Sequence, residues 1–235
     1  MAVLLLGCRL LWVVALASVC ACGPASAQHW HVATSVSGLV ERWLSEQERD
    51  AQQRVVVHRG ASSTLRRQIL AGAPAHVFLS ADARSLHDLP VLDRHAVLAT
   101  HLVLLAHPGQ SLADLAAAQS LVLGAPGVPL GEYARTLLAA RGLPEPPRVV
   151  HGKDAHDVLA KLRAGAAQAA LVYATDVALA PELRVVQRFP APDGPAVRYE
   201  AALLDESARA RFEALREPAF TQLAEQLGFD PGAPD

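Results

Sequence analysis

The chain is short of cysteine, of long apolar runs and of charge of either sign, and each shortage removes a class of function. Its three cysteines are Cys8, Cys20 and Cys22, all near the amino terminus. A chain cut behind them has none, which excludes disulfides, thiolate catalysis and cysteine-held metals for that form. The 21 basic side chains nearly balance the 23 acidic ones, for a net charge of −2. No strong field exists to gather nucleic acid or an anionic membrane surface. Beyond the amino terminus no apolar segment is long enough to cross a bilayer, which takes about 20 residues as a helix.

The one sustained apolar stretch, Leu10 to Val19, follows the single cation Arg9. It is too short to span a membrane and has the length of a secretory signal core. Ala25-Ser26-Ala27 supplies a small-x-small cleavage site, making residues 1–27 a signal peptide and Gln28 the first mature residue. A rival cut precedes Cys22, where Val19-Cys20-Ala21-Cys22 resembles a lipoprotein box and leads to a lipid anchor at Cys22. About 200 residues then remain, enough for one large domain or two small lobes.

Short apolar or β-branched runs recur through the mature chain. They fall around Trp30–Ala33 and at Val55–Val57, His76–Leu79, Leu102–Leu105, Leu121–Leu123, Arg148–Val150 and Ala169–Val172. They do not alternate apolar with polar, as expected of parallel strands covered on both faces. Helical stripes lie between them: Val36, Leu39, Val40, Trp43 and Leu44; then Leu65, Ile69 and Leu70, stopped by Gly72. Tyr133, Leu137 and Leu138 precede Gly142, and Val158, Leu159 and Leu162 precede Gly165. Glycine just past the last periodic residue is a helix stop. Strand and helix alternating in this way predict an α/β fold.

The strand-to-helix turns carry the chemistry. Thr34-Ser35, Gly60 through Thr64, Gly124 through Gly131 and Gly152-Lys153-Asp154 each stand between a strand and a helix. In an open sheet such turns gather at the carboxyl ends of the strands, where ligands bind. Helix amino termini offer unpaired N–H groups and the positive end of the dipole, which suit an anion. Small hydroxyl residues there can donate hydrogen bonds. Taken singly, Ser35, Ser62 and Ser63 also read as helix N-caps, and Tyr173 as packing.

In order, the segments V-A-T-S (Val32–Ser35), G-A-S-S-T-L-R-R-Q-I (Gly60–Ile69), A-G-A-P-A-H-V-F-L-S-A-D (Ala71–Asp82), G-V-P-L-G-E-Y-A (Gly127–Ala134) and A-L-V-Y-A-T-D (Ala170–Asp176) resemble the molybdate-binding periplasmic proteins of ABC transporters. The resemblance runs from about His31 to Phe229. It implies a type II, two-lobed periplasmic binding protein, each lobe a mostly parallel sheet flanked by helices, with the ligand in the cleft between lobes. Lobe one would hold residues 28–103 and 194–235, and lobe two residues 104–193. The anion contacts would fall on the hydroxyls of Ser35, Ser62 and Tyr173 and on the backbone N–H groups of Leu130 and Ala155. The implied function is capture of molybdate or tungstate in the periplasm by a monomer and delivery to an ABC permease with its ATPase, without a cofactor and without catalysis.

Three positions depart from the family pattern. His76 replaces an aspartate, Ala125 replaces an acidic residue in a loop one residue short, and Leu130 replaces alanine. These leave sulfate or phosphate open as alternative tetrahedral oxyanions. Two other classes fit less well. A serine hydrolase lacks its sequence signature, since Gly60-Ala61-Ser62-Ser63-Thr64 has no second glycine of a nucleophile elbow. A metal-binding protein is suggested by ten histidines, among them His29, His31, His151 and His156, without helical ligand spacing and expected mostly at the surface or lobe edges.

Overall fold

A computed structural model describes residues 27–47 and 54–230. Residues 1–26 of the expected signal peptide 1–27, with Cys22 and its alternative lipid anchor, lie outside the described residues, as do residues 48–53 and 231–235. The chain runs β1 (Gln28–Ala33), α1 (Thr34–Gln47), β2 (Val55–Gly60), α2 (Ser62–Leu70), β3 (Val77–Ser80), β4 (Asp93–Thr100), β5 (Leu102–Ala106) and β6 (Ser120–Gly124). It continues with α3 (Pro129–Ala140), β7 (Arg148–Gly152), α4 (Ala155–Arg163), β8 (Ala169–Tyr173), β9 (Arg184–Phe189), β10 (Val197–Leu203), α5 (Arg209–Ala214) and α6 (Pro218–Gln226).

These strands form two five-stranded sheets, ordered β2-β1-β3-β10-β4 and β7-β6-β8-β5-β9. In the first, β1 runs parallel to β2 and β3, and β10 antiparallel to β3 and β4. In the second, β6 runs parallel to β7 and β8, and β5 antiparallel to β8 and β9. Each sheet is thus half parallel and half antiparallel. The continuous apolar runs mark the parallel strands and β5, which lies inside its sheet between β8 and β9. Strands β4, β9 and β10 fall outside those runs; in β10 the first residues alternate, as in an antiparallel strand with one wetter face. Strand β10 shows it in Val197, Tyr199 and Ala201, all buried, with Arg198 exposed and Glu200 half-buried between them. The chain changes sheet at His101 and again between Phe189 and Val197, so β10 returns to the first sheet from the far end of the sequence.

Both faces of the first sheet are covered. Val77 and Leu79 join the main core, while Phe78 between them turns to a smaller cluster with Leu65, Leu86, Leu89 and Ala202. On the main face every residue of the predicted α1 stripe is buried. Trp43 meets Trp30 at 6.1 Å and stands edge-on to Phe220 of α6 at 5.5 Å. Leu70, counted in the α2 stripe, is exposed instead, because α2 ends there and Gly72 turns the chain away in a left-handed conformation.

In the second sheet the end of β6 lies against the start of α3. A β-carbon on Gly124 would sit 2.4 Å from Gly131 N, and one on Gly131 would sit 2.2 Å from Gly124 O. Only glycine at both positions lets helix and strand approach this closely, and that approach sets where the first N–H groups of α3 point. Gly131→Ala should therefore cost about 1–3 kcal/mol of stability through backbone displacement. Gly38→Ala, on the exposed face of α1 with nothing within 4 Å of the added carbon, should gain about 0.5–1 kcal/mol. Urea unfolding of the two variants checks this contrast; equal midpoints would show that the Gly124–Gly131 contact is slack.

Candidate functional site

Four helices begin at the carboxyl ends of parallel strands and face one another across the two sheets. In the first sheet β1 passes straight into α1, which puts Ser35 in the first helical turn, and β2 leads through Ala61 to Ser62 at the start of α2. In the second, β6 leads through a short loop to Pro129, Leu130 and Gly131 of α3, and β7 through Asp154 to Ala155 of α4. Strand β8 brings Tyr173 to the same end. The result is a cleft whose walls include Ser35, Ser62, Leu130, Ala155 and Tyr173 together. All five residues singled out from the sequence therefore meet in one place.

The donors converge because of how each helix starts. The first N–H groups of a helix have no partner inside it. In α3 the first position is Pro129, which has no N–H, so Leu130 and Gly131 present the first ones. In α4 the Asp154 carboxylate accepts the Asp157 N–H at 2.9 Å, a side-chain cap that keeps its charge on its own helix. The Leu130 side chain is buried in the core, so its bulk packs into the second sheet while its N–H stays at the wall.

The serine hydroxyls are oriented by fixed donors. Ser62 is 1% exposed, and its Oγ accepts the Ala81 N–H at 3.0 Å. The N-cap of α2 is Ala61, without a side-chain capping bond, so Ser62 does not act as the cap. Tyr199 Oη, from β10 of the same sheet, donates to Ser35 Oγ at 2.9 Å. A hydroxyl that accepts from a fixed donor keeps its own proton to donate elsewhere. Tyr173 is 1% exposed, and its ring lies 6.2 Å from that of Tyr199. Burial pushes both phenols above the ordinary tyrosine range, so both stay protonated donors. Among the described residues no lysine or arginine lines the cleft. The arrangement is a ring of neutral donors suited to holding an anion, and Asp154, the carboxylate in the lining, is engaged in capping α4.

Three contributors escaped the sequence reading. Tyr199 lies in V-R-Y-E-A-A-L, where an aromatic reads as strand core; Ala81 acts through its backbone alone. Asp176 is 1% exposed and accepts the Tyr173 N–H at 3.2 Å. Burial pushes its carboxyl up to about 7; the Tyr173 N–H pulls it down and the Asp154 charge raises it.

The histidines go elsewhere. His151 and His156 are exposed, but His31 is 2% exposed, contrary to a surface placement. It stacks on His58 at 4.8 Å, and His58 Nε2 lies 2.9 Å from His29 Nδ1. His76 joins this stack by accepting the His29 N–H at 3.0 Å, so its departure from the family's aspartate serves the sheet and not the cleft. Among the described residues no group of three or more His, Cys, Asp or Glu is placed to hold a metal ion. Imidazole lone pairs lie in the ring plane, and stacked rings do not aim them at one point.

The chain belongs to the family of bacterial extracellular solute-binding proteins, whose model matches residues 31–230. It is 29% identical over 199 residues to the molybdate-binding protein ModA of Escherichia coli (strain K12), covering 74% of this chain and 77% of that protein. The ModA protein of Haemophilus influenzae is 31% identical over 169 residues, covering 64% of this chain and 66% of that protein. Among solved structures, the periplasmic molybdate-binding protein of Azotobacter vinelandii shares the fold with a TM-score of 0.73 at 20% identity, covering 88% of this chain and all of that one.

The buried Asp176 gives a pH signature. Its folded value of about 7 lies above the ordinary 3.8, so between those limits the folded protein holds a proton that the unfolded chain has released. Stability from this group is greatest below pH 3.8, falls as pH rises towards 7 and is level above. Asp176→Asn keeps the acceptor for Tyr173 N–H and removes the ionisation, so it should be more stable than the parent at pH 8 and nearly equal to it at about pH 3, below both limits. Denaturant unfolding at the two pH values checks this; equal shifts at both would show that the folded Asp176 titrates as it does in the unfolded chain.

Proposed function

We propose that the protein is a non-enzymatic, extracytoplasmic binding protein that captures molybdate or tungstate and delivers it to an ABC permease with its ATPase. In this reading the chain forms two lobes, one per sheet, and closes on the anion as a monomer after export to the periplasm. The observation that carries the proposal is the pair of serine hydroxyls. Each is held by a donor, Tyr199 Oη on Ser35 and Ala81 N–H on Ser62, so each turns its proton to the cleft. The free N–H groups at the starts of α3 and α4 face them, and the molybdate-binding relatives supply the choice of anion.

A neutral ring of donors suits a dianion that carries no proton at neutral pH. Hydrogen bonds to an ionised acceptor are roughly twice as strong as neutral ones, and exclusion of water strengthens each of them. Selection against sulfate, which has the same charge and shape, rests on cavity size and donor placement. Hydrolysis finds no support, because the partner of each serine is a donor and not a base.

Isothermal titration with molybdate, tungstate and sulfate tests the reading. The parent chain should bind the two larger anions, and Ser62→Ala should weaken that binding by about 1.5–3 kcal/mol, roughly 10- to 150-fold in Kd. Ser35→Ala should behave alike. Unchanged affinity in Ser62→Ala would mean that its hydroxyl only supports Ala81, and heat with sulfate alone would replace molybdate as the ligand.

A further inference from the structure

The two sheets are fastened to each other beside the cleft by a contact that touches no predicted anion donor. Tyr133, on α3, donates from Oη to the Ala81 carbonyl at 3.2 Å. Ala81 follows β3 in the first sheet, and its N–H is the group that holds Ser62 Oγ. One residue of the first sheet therefore joins the second sheet through its carbonyl and the anion site through its N–H.

The segment that presents Ala81 is internally braced. Ser80 Oγ donates to the Asp82 carbonyl at 2.6 Å, and the Asp82 carboxylate caps the next turn by accepting the Ser85 N–H at 3.0 Å. On the other side, Glu132 accepts the Gly127 N–H at 2.9 Å and holds the loop that leads into α3. Each edge is stiff by itself, so opening the cleft must break what lies between them. Two contacts do. The rim pair Arg84–Glu132 is long, at 3.8 Å, with Arg84 62% exposed; such pairs contribute little and are screened by salt. The Tyr133 bond is sheltered, and burial, then the Asp82 charge, push the phenol up to about 12, so it remains a donor at every physiological pH.

We propose that Tyr133 is a positioning residue for the anion site: through Ala81 it clasps the two sheets over Ser62 and sets how fast a bound anion escapes. This rests on the oxyanion reading for its ligand, but not for the clasp itself. A clasp that joins the sheets whenever the cleft closes slows release and leaves entry through the open form unchanged. It also acts alike on every anion that fits, since it touches none of them.

The test is Tyr133→Phe, which keeps the ring and removes the hydroxyl, compared with the parent, with Arg84→Ala and with the double variant Tyr133→Phe/Ser62→Ala. Kd is measured by titration with sodium molybdate, tungstate and sulfate, and entry and release rates by stopped-flow fluorescence. The expected result is a Kd raised about 3- to 10-fold, by one common factor for each anion the parent binds. The change should lie in the release rate, with the melting temperature of the unliganded protein unchanged and Arg84→Ala near the parent. The double variant should lose less than the product of the single losses, because both act through Ala81. Parent-like release in Tyr133→Phe, or a factor that differs between anions, overturns the clasp. A lowered unliganded melting temperature with unchanged release would make Tyr133 a packing residue and overturns it too. A parent that binds none of the three anions overturns the oxyanion reading instead. The clasp is then read by small-angle scattering, where Tyr133→Phe must enlarge the radius of gyration and an unchanged radius overturns it.

Discussion

An ionised tetrahedral anion leaves water only where fixed donors replace the water it gives up, and a site without cationic side chains must supply all of them as dipoles. The cleft meets that constraint by geometry. Parallel strands bring their helices to one edge, so α1 and α2 from one sheet face α3 and α4 from the other. The positive ends of four helices then face one volume. The rest of the fold serves this convergence. The close contact of Gly124 with Gly131 sets the start of α3 against β6, and the Asp154 cap sets the start of α4. Buried Tyr199 reaches from β10 to orient Ser35.

The same constraint explains which parts could be read from the amino acids. Turns that end parallel strands announce themselves, because glycine, serine and an N-terminal proline cluster between an apolar run and a helical stripe. Ser35, Ser62, Leu130, Ala155 and Tyr173 could be placed together on that ground and on the resemblance. What holds them in place was not legible. The Ala81 N–H has no side-chain signature, and Tyr199 looks like any strand aromatic until β10 is seen to return beside β3. That return spans about half of the chain, and Arg198 and Glu200 interrupt the apolar run that a doubly covered strand would show. Sheet pairing between segments so distant in sequence leaves no local trace.

The histidines show the opposite case, a signal in the sequence with a different use. His29, His31, His58 and His76 gather on the first sheet as a stack joined by ring contacts and hydrogen bonds. His31 Nε2 lies 3.2 Å from the Pro74 carbonyl, and burial with the neighbouring His58 and His29 lowers its pKa to about 4. A neutral, buried imidazole fixed to the backbone is a packing element of the lobe. It also accounts for the departure at His76, which changes the stack and leaves the cleft lining as it is.

The claim that neutral donors from both sheets hold the anion is tested most directly by crystals grown with molybdate and measured at the molybdenum absorption edge. The account predicts one anomalous peak in the cleft, its oxygens within hydrogen-bond reach of the Ser35, Ser62 and Tyr173 hydroxyls and of the Leu130 and Ala155 N–H groups, with no lysine or arginine in contact. A peak on the histidine stack, or none in the cleft at saturating molybdate, would contradict it.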